Sequence, residues 1–363
     1  MFAHKTKNQK KVFVGLSGGV DSAVSAALLK RAHFDVTGVF IRIALPGYPC
    51  PAIADRQDAM RVAAHLRIPF QEIDLSHEYE QRVFAYMLEE FRKGNTPNPD
   101  TLCNREIKFG LFYEYSMKNG ADFVATGHYA QIKQHEKKST ELYKGRDENK
   151  DQSYFLWMVG EEQLSRTLFP VGHMDKTEVR VLAKKFDLPN ARRKDSQGIC
   201  FLGDISMQDM LIKELRPKTG PVISESGEKV GSHKGVELYT LGQRHGFSID
   251  EQKGEQVPQY VIAKDIQANT ITISKDQFPK DASATEVVLT SVHWIGKVMN
   301  GEYHARYRYR QKLIRTYLDI SGTHVRVVLL EPHYIPIGQS LVLYKGERCI
   351  GGGIVDKSTL VLI

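Results

Sequence analysis

Cysteine is scarce in this sequence, and long apolar runs are absent from it. The 363 residues include four cysteines, none of which lies in a CxxC pair or in the His/Cys spacing of a zinc site. No run of about 18 apolar residues occurs, so no membrane span is expected. The stretch MFAHKTKNQKK lacks the apolar core of a secretory signal. We therefore expect a cytoplasmic protein in a reducing setting, where a cysteine matters through its reactivity.

The charge balance is mildly basic. Lys and Arg number 50 against 43 Asp and Glu, which gives a net charge of +7 and a pI of about 9.0. Such an excess is compatible with a polyanionic partner such as nucleic acid, although many soluble proteins are also basic. Charge alone therefore does not decide the class of partner.

The first part of the chain alternates apolar strand patterns with amphipathic helix patterns. KVFVGL, DVTGVFIRI, FQEIDL and DFVATGH are predicted strands, and ADRQDAMRVAAHL, HEYEQRVFAYMLEEFRKG and REIKFGLFYEYSMKNG are predicted helices. TPNPDTLCN is predicted to be a proline-broken loop. Alternation of this length indicates an α/β fold with a parallel sheet and right-handed crossovers.

The pattern changes after about residue 216, where RPKTGPVISESGEKVG is rich in Pro, Gly and Ser. Short strand patterns follow, among them VELYTL, QYVIAKDI, NTITIS, TEVVLTSVHW, YHARYRYR, RTYLDI, HVRVVLL and SLVLYKG. A break at DQFPKDAS suggests two β modules. We predict three domains: an α/β domain over 1–216, a small central β domain over 217–280, and a C-terminal β-barrel over 281–363.

A glycine-rich turn, SGGVDS, joins the first predicted strand to a helix. Its glycines allow backbone N–H groups to approach an anion, the helix N-terminus adds partial positive charge, and the hydroxyls of Ser17 and Ser22 can donate. Asp21 fits beside a phosphate when a magnesium ion bridges the two. No lysine follows the glycines, so this is not a Walker A loop, which argues against γ-phosphoryl transfer.

The SGGVDS turn resembles the PP-loop of the ATP pyrophosphatases. That family grips the pyrophosphate end of ATP while a nucleophile attacks the α-phosphorus, and the products are an adenylated substrate and pyrophosphate. The resemblance implies that the loop holds a leaving group rather than a group to be transferred.

Two cysteines lie in polar contexts that contain Gly or Pro. Cys103 follows TPNPDTL, and Cys200 follows DSQGI. Neither falls on an apolar periodic face, so we expect both in loops near the strand ends and interpret both as functional. For Cys50 and Cys349 the sequence favours the ordinary interpretation, a small buried hydrophobic residue, with Cys349 in a strand.

Both contexts resemble those of the tRNA-specific 2-thiouridylases. The likeness extends to ATGHYA, KDQSYFLW and YTLGQRHGFSI, and runs from about residue 11 to the C-terminus. It implies ATP with Mg²⁺, a tRNA substrate of the glutamate, lysine or glutamine type, and a persulfide donor supplied by a cysteine desulfurase relay. The expected reaction is thiolation of the wobble uridine, with no resident metal, since the histidines, His128 included, lack ligand spacing.

The same resemblance implies roles for individual residues. The nucleotide is expected to contact Gly15, Leu16, Ser17, Gly18, Gly19, Val20, Asp21, Ser22, the backbone of Ile41, and Gly127. The target base is expected to contact Asn98, Pro99 and Asp100, and the rest of the tRNA to contact Lys150, Asp151, Gln152, Arg308 and Tyr309.

In that scheme, Cys200 carries sulfur as a persulfide and Cys103 is the nucleophile that completes the transfer, leaving a disulfide between them. Adenylation converts the uracil 2-oxygen into part of a good leaving group, AMP. Asp100 is a candidate general base. The sequence leaves open whether sulfur attacks as free sulfide or directly from the persulfide.

The stretch YHARYRYRQ indicates a surface for tRNA. Strand alternation predicts His304, Arg306, Arg308 and Arg310 on one face, where arginines suit phosphates, and the tyrosines on the other. The segment FIRIALPGYPCPAIADRQDA departs from the family pattern, since Ile41 replaces the usual methionine and no acidic residue occurs before Asp55.

Two other classes stay open at this stage. One is a PP-loop enzyme in which an amine attacks the adenylate, as in amidotransferase-type synthetases or a lysidine synthetase; such an enzyme does not need the two cysteines. The other is an RNA-binding protein whose nucleotide site regulates affinity, which an intact SGGVDS and both cysteines disfavour.

Overall fold

The computed structural model describes residues 9–48, 52–134, 139–195, 206–250, 257–277, 284–356 and 360–362. Cys50 and Cys200 lie outside the described residues, so the predictions made for them stay predictions. Within these ranges, no helix has the length and apolar character needed to cross a bilayer.

Helices and strands alternate in the first part of the chain, as the hydrophobic pattern predicts. In chain order they are β1 (Lys11–Gly15), α1 (Val20–Arg31), β2 (Asp35–Arg42), α2 (Ala52–Leu66), β3 (Phe70–Asp74), α3 (Ser76–Tyr79), α4 (Ala85–Arg92), α5 (Pro99–Cys103), α6 (Phe112–Lys118), β4 (Phe123–Ala125), β5 (Ala130–Gln134), β6 (Thr140–Lys144), α7 (Glu161–Ser165), β7 (Thr167–Leu168), α8 (Lys176–Lys185) and α9 (Met207–Leu215). Two π-helical turns, Glu80–Phe84 and Asn104–Leu111, make α3–α4 and α5–α6 continuous.

A parallel sheet with strand order β3-β2-β1-β4-β7 forms the centre of this part. Alternation along β1 sends Val12 and Val14 into one apolar cluster, with α1, α2 and α8, and Phe13 into another, with α4 and α6. The strand order reverses between β1 and its neighbour β4. In open α/β sheets, ligands bind at the carboxyl ends of the strands at such a point, which here brings together the residues that follow Gly15 and Ala125.

The second part is built from strands: β8 (Gly220–Ser224), β9 (Lys229–His233), β10 (Phe247–Ile249), β11 (Tyr260–Asp265), β12 (Thr270–Ser274), β13 (Ala284–Trp294), β14 (Gly301–Arg306), β15 (Ile314–Ser321), β16 (His324–Leu329), β17 (Ser340–Lys345), β18 (Arg348–Val355) and β19 (Leu360–Leu362). The first five of these strands form a mixed sheet in the order β10-β9-β8-β12-β11, in which β8 and β12 are parallel.

One predicted strand of the central region is wrong. The stretch VELYTL begins with a 3₁₀ turn over Val236–Leu238 instead of a strand, because Asn269 Oδ1 accepts from the Val236 N–H and Val236 packs into the core of this sheet. In contrast, the Pro/Gly/Ser-rich stretch before it contains β8 and the first residues of β9.

The C-terminal strands close into the predicted barrel, in the order β13-β16-β15-β14-β17-β18, with β18 pairing back onto β13. The hairpin β5–β6 extends this sheet, since Tyr143 and Leu142 of β6 pair with Arg348 and Cys349 of β18. Residues before 216 therefore contribute strands to the sheet of the barrel. The predicted boundaries at 216 and 280 stay predictions.

The segment Gly94–Thr96, which follows α4, touches both β regions. Lys264 Nζ donates to the carbonyl oxygens of Gly94 and Tyr239, each at 2.6 Å. The Thr96 N–H donates to Ile337 O at 2.7 Å. The central sheet and the barrel are thus both tied to the chain just before α5.

Candidate functional site

The SGGVDS turn lies at the carboxyl end of β1 and opens α1. Gly18 has a φ of +77°, a conformation that favours glycine. The Ser22 hydroxyl donates to Gly19 O at 3.1 Å and accepts from the Ser17 N–H at 3.2 Å, which holds the turn closed. Three backbone conditions for anion binding are therefore met: small residues, a helix N-terminus, and a fixed turn.

Gly127, after β4, packs directly against this turn. A Cβ atom at Gly127 would come within 2.7 Å of the Ser22 backbone nitrogen and 2.8 Å of the Asp21 carbonyl carbon. The residue must therefore be glycine for the two loops to meet. Beside it, His128 is buried and its Nδ1 lies 2.7 Å from Thr126 Oγ1. Burial, reinforced by the charge of Lys108, keeps the pKa of His128 well below its usual value, so the ring is neutral and structural.

The Asp21 carboxylate is paired with two side chains from other parts of the chain, Lys176 and Tyr129. Lys176, the first residue of α8, places Nζ 2.8 and 2.9 Å from its two carboxylate oxygens. The Tyr129 hydroxyl donates to Asp21 Oδ1 at 2.8 Å. Burial, together with the charge of Asp21 and this hydrogen bond, raises the pKa of Tyr129, so its hydroxyl stays a donor.

Asp195 connects Lys176 to two further cations. It accepts from Lys176 Nζ at 2.9 Å, from Lys150 Nζ at 2.6 Å, and from Arg180 of α8. Burial would raise the pKa of Asp195, but the hydrogen bonds and charges of Lys150 and Lys176 outweigh it and lower that pKa. The carboxylate therefore stays ionised.

Arg193 and Asn190 cover the other side of the turn. Asn190 Nδ2 donates to Gly18 O at 2.7 Å and to Gly19 O at 3.1 Å. The Arg193 guanidinium pairs with Asp55 and Asp58 at the start of α2, and its Nη1 would lie 3.1 Å from a Cβ on Gly18. The sequence indicates a basic patch in NARRKDS, at 190–196, but it does not place this patch or Lys176 beside the turn, because they are more than 150 residues from it.

Ile41 lies within β2, next to its last residue, and its side chain packs into the apolar cluster that contains Phe13. The backbone contact with adenine that the resemblance implies stays a prediction. Leu16 continues beyond β1, with its N–H donating to Val39 O at 2.8 Å, so the turn begins in register with β2.

The prediction that Cys103 lies in a loop is wrong. Within TPNPDTLC, the residues PDTLC form the short helix α5, and Pro99 takes its first position. Asn98 is the N-cap, and its Oδ1 accepts from the Thr101 N–H at 3.3 Å. Asn followed by Pro is a helix-start pattern, and this pattern could have predicted α5. Cys103 ends α5, is buried, and packs in the same apolar cluster as Ile107. Asp100 is partly buried on α5.

The segment Lys150–Gln152 is tied into the protein at each residue. Lys150 pairs with Asp195, and Gln152 Oε1 accepts from the Tyr129 N–H at 3.0 Å. Asp151 forms an ion pair with Arg306, and the two side chains are 2 and 5% exposed. The structure places this segment between the glycine turn and the barrel. The tRNA contacts expected for it stay predictions.

The predicted arginine row on one strand face is wrong. β14 ends at Arg306, which is buried beneath Tyr344, and the chain then turns. Arg308 is exposed, and the Arg310 guanidinium lies 5.0 Å from the centre of the Tyr309 ring. Arg310 Nε also donates to Asn149 O at 2.9 Å, so the turn that carries Arg308 and Tyr309 lies beside the Lys150 segment.

In the described part of the chain, no group of three or more His, Cys, Asp or Glu side chains is arranged to hold a metal ion. Within the glycine turn itself, Asp21 presents a carboxylate. A Mg²⁺ ion that arrives with ATP suits such a site, because it is commonly bound by one or two carboxylates together with the phosphates of the substrate.

A parallel α/β sheet, with a glycine-rich turn and no Walker lysine at its switch point, defines a nucleotide-binding protein of the PP-loop class. Family comparisons agree with the architecture. Residues 10–204 match the "tRNA methyl transferase HUP domain", 208–275 the "tRNA methyl transferase PRC-barrel domain", and 284–355 the "Aminomethyltransferase beta-barrel domain".

Full-length relatives are more specific. The chain is 40% identical over 360 residues to the tRNA-specific 2-thiouridylase MnmA of Enterococcus faecalis, covering 97% of this chain and 96% of the relative. It is 41% identical over 356 residues to that of Staphylococcus saprophyticus, covering 95% of each. The chain therefore belongs to the MnmA family of tRNA-specific 2-thiouridylases. A solved U34-tRNA thiolase, NcsA from Methanococcus maripaludis, is 18% identical with a TM-score of 0.37, covering 57% of this chain and 68% of that chain.

Proposed function

We propose that this protein is the ATP-dependent tRNA sulfurtransferase that 2-thiolates the wobble uridine, forming AMP and pyrophosphate. The observation that carries the proposal is the similarity to tRNA-specific 2-thiouridylases along 97% of the chain. The glycine turn at the sheet's switch point and the helix that carries Cys103 support it.

The nucleotide step follows from the turn. Its backbone N–H groups and the N-terminus of α1 hold the pyrophosphate end of ATP, which leaves the α-phosphorus open to the uracil 2-oxygen. Mg²⁺, bound with the phosphates beside Asp21, would neutralise charge on the leaving pyrophosphate. Gly127 fixes the turn by direct backbone contact, so that Ser17 to Ser22 keep one shape.

The sulfur step involves two cysteines. Cys200 carries the incoming sulfur as a persulfide, and Cys103 attacks Cys200 Sγ, forming the disulfide and expelling hydrosulfide. Hydrosulfide attacks C2 of the adenylated uridine, AMP leaves with the oxygen, and the 2-thiouridine remains. In the variant route, the terminal persulfide sulfur attacks C2 first and Cys103 then cleaves the bond to Cys200. Asn98, Pro99 and Asp100 meet the base, with Asp100 as the candidate base catalyst.

We assign catalysis to the domain over 1–216, which a small central β domain follows over 217–280. We assign tRNA binding to Lys150–Gln152 and to Arg308 and Tyr309 of the last domain, over 281–363. The exposed Arg308 suits a phosphate, and Tyr309 offers a ring for stacking. Sulfur would come from a cysteine desulfurase relay, and the setting is cytoplasmic.

Mass spectrometry of nucleosides tests the function. Unmodified glutamate-type tRNA is incubated with the protein, ATP, Mg²⁺ and sulfide, then digested. We expect one oxygen-to-sulfur exchange at the wobble uridine that requires ATP. Conversion of ATP to AMP and pyrophosphate without thiolation would instead favour a PP-loop enzyme with an amine acceptor.

A second experiment tests the cysteine roles. Cys200→Ser is expected to lose thiolation from a persulfide donor while adenylation continues, whereas Cys349→Ser, in a buried barrel strand, keeps both. Thiolation by Cys200→Ser at the wild-type rate would refute the proposed mechanism.

A further inference from the structure

The glycine turn has no lysine of its own, yet two cations from a distant part of the chain flank it. Lys176 reaches its Asp21 side and Arg193 its Gly18 side. Both belong to the stretch from α8 to the last residues before the undescribed segment at 196–205. In a Walker A loop, the cation that meets the terminal phosphates comes from the loop itself.

Lys176 is well placed to act on an anion in the turn. Its Nζ lies within 2.9 Å of both oxygens of Asp21, a residue in the first turn of α1. Its side chain is 15% exposed, so the charge is shielded from bulk solvent but not sealed from a ligand. The ammonium has three N–H donors, and the oxygens near them are Asp21 Oδ1, Asp21 Oδ2 and Asp195 Oδ1.

Arg193 approaches from the opposite side. Its Nη1 is near van der Waals contact with the Gly18 position, where the backbone φ of +77° and the close carbonyl of Asp55 leave room for no Cβ. Asn190, three residues earlier, fixes this approach through its bonds to Gly18 O and Gly19 O. The guanidinium is a planar donor that suits phosphate oxygens.

Each cation is held by two carboxylates: Lys176 by Asp21 and Asp195, and Arg193 by Asp55 and Asp58. Three of these carboxylates keep a partner if the cations turn to a ligand, since Asp58 retains Arg61. The fourth, Asp55, is 29% exposed. Asp195 retains Lys150 and Arg180, and Asp21 retains Tyr129. Such an exchange of partners therefore strands no buried charge, which is the main cost of breaking an ion pair.

We propose that Lys176 and Arg193 bind the β- and γ-phosphates of ATP, one on each side of the turn, and so replace the missing loop lysine. The inference rests on the proposed use of ATP and adds two phosphate-binding residues to it. Before the nucleotide binds, acidic residues hold the two side chains beside the turn. Asp21 and Asp195 hold Lys176, and Asp55 and Asp58 hold Arg193.

Nucleotide titration calorimetry tests this without tRNA or sulfur. Lys176→Met and Arg193→Met are titrated with MgATP and with AMP. Because a charge-assisted hydrogen bond contributes about 1.5–3 kcal/mol, each variant should bind ATP at least about tenfold more weakly than the wild type. AMP, which lacks the β- and γ-phosphates, should bind with an affinity changed less than about twofold. Lys184→Met on the same helix and Lys194→Met beside Arg193, both exposed, are the matched controls and should match the wild type.

Three results would overturn the proposal: unchanged ATP affinity, an equal loss for ATP and AMP, or the same loss in the controls. If a methionine variant does not fold, Lys176→Arg and Arg193→Lys keep the charge, and each should retain more ATP affinity than Lys176→Gln or Arg193→Gln. A wild-type protein that binds ATP but does not thiolate tRNA would defeat the proposed function while leaving this test intact.

Discussion

The buried ion pair between Arg306 and Asp151 joins strand β14 of the barrel to the segment between β6 and α7, and its removal should be costly. Arg306 Nη2 pairs with Asp151 Oδ2 and also contacts Ser153 Oγ at 3.1 Å and Tyr344 Oη at 2.8 Å. Asp151 Oδ1 accepts from the N–H groups of Gly145 and Ser153, each at 3.0 Å. The pair thus holds two chain segments and one barrel strand together.

The burial of the pair sets the size of the expected loss in the free energy of unfolding. With the side chains 5 and 2% exposed, Arg306→Met would leave the Asp151 carboxylate buried with its charge uncompensated. Removing one partner of such a pair typically destabilises by about 3–5 kcal/mol, and Asp151→Asn should cost a similar amount. The double variant removes both charges, so it should lose about 2–3 kcal/mol less than the sum of the single losses.

Urea unfolding followed by tryptophan fluorescence measures these losses. One of the two tryptophans, Trp157, is buried in the same apolar cluster as Tyr344 and so reports on this junction. Arg42→Met, which breaks the exposed pair with Asp74, is the control and should cost about 1 kcal/mol or less. If Arg306→Met costs no more than this control, or if the two single losses simply add, the argument from burial is refuted.

Two further predictions concern the turn and the junction with the central sheet. Gly127→Ala places a Cβ 2.7 Å from the Ser22 nitrogen, so it should destabilise the fold by about 1–3 kcal/mol and weaken ATP binding about tenfold or more. Wild-type ATP affinity of this variant in a calorimetric titration would show that the turn accommodates the added methyl group and would contradict the prediction. Burial lowers the pKa of Lys264 from 10.5 to about 8, so between these values the unfolded chain holds a proton that the folded chain lacks, and the contribution of Lys264 to stability rises with pH across that window. Lys264→Met should remove this rise, and urea midpoints of the variant and the wild type that run parallel from about pH 7.5 to 10 would contradict the assignment.

Local patterns in the sequence predicted the sheet and the turn because both are built from short-range regularities. Continuous apolar runs predicted β1 and β2, and the spacing of apolar residues predicted α1 and α2. The position of Gly127 beside the turn came from the resemblance alone, and its close packing against Ser22 supplies the physical reason for that glycine.

Long-range charge pairing could not be predicted in the same way. In YHARYRYR, strand alternation assigned Arg306 to a surface row, but its partner Asp151 is 155 residues away and draws it inside. The same holds for Lys176, whose partner Asp21 is also 155 residues distant. At α5 the reason differs: two prolines in a short stretch predict a break in structure, whereas Pro99 occupies the first helical position, which suits proline.

The hairpin β5–β6 limits how this protein can be divided. In the chain it lies between β4 and β7 of the parallel sheet, yet it pairs with β18. Glu141 and Lys144 add ion pairs to Arg348 and Glu347 at that seam. A chain cut before β13 would leave β6 with an unpaired edge, which invites association with other strands. A barrel taken from another protein would therefore need a β18 edge that matches β6 in backbone register and in charge.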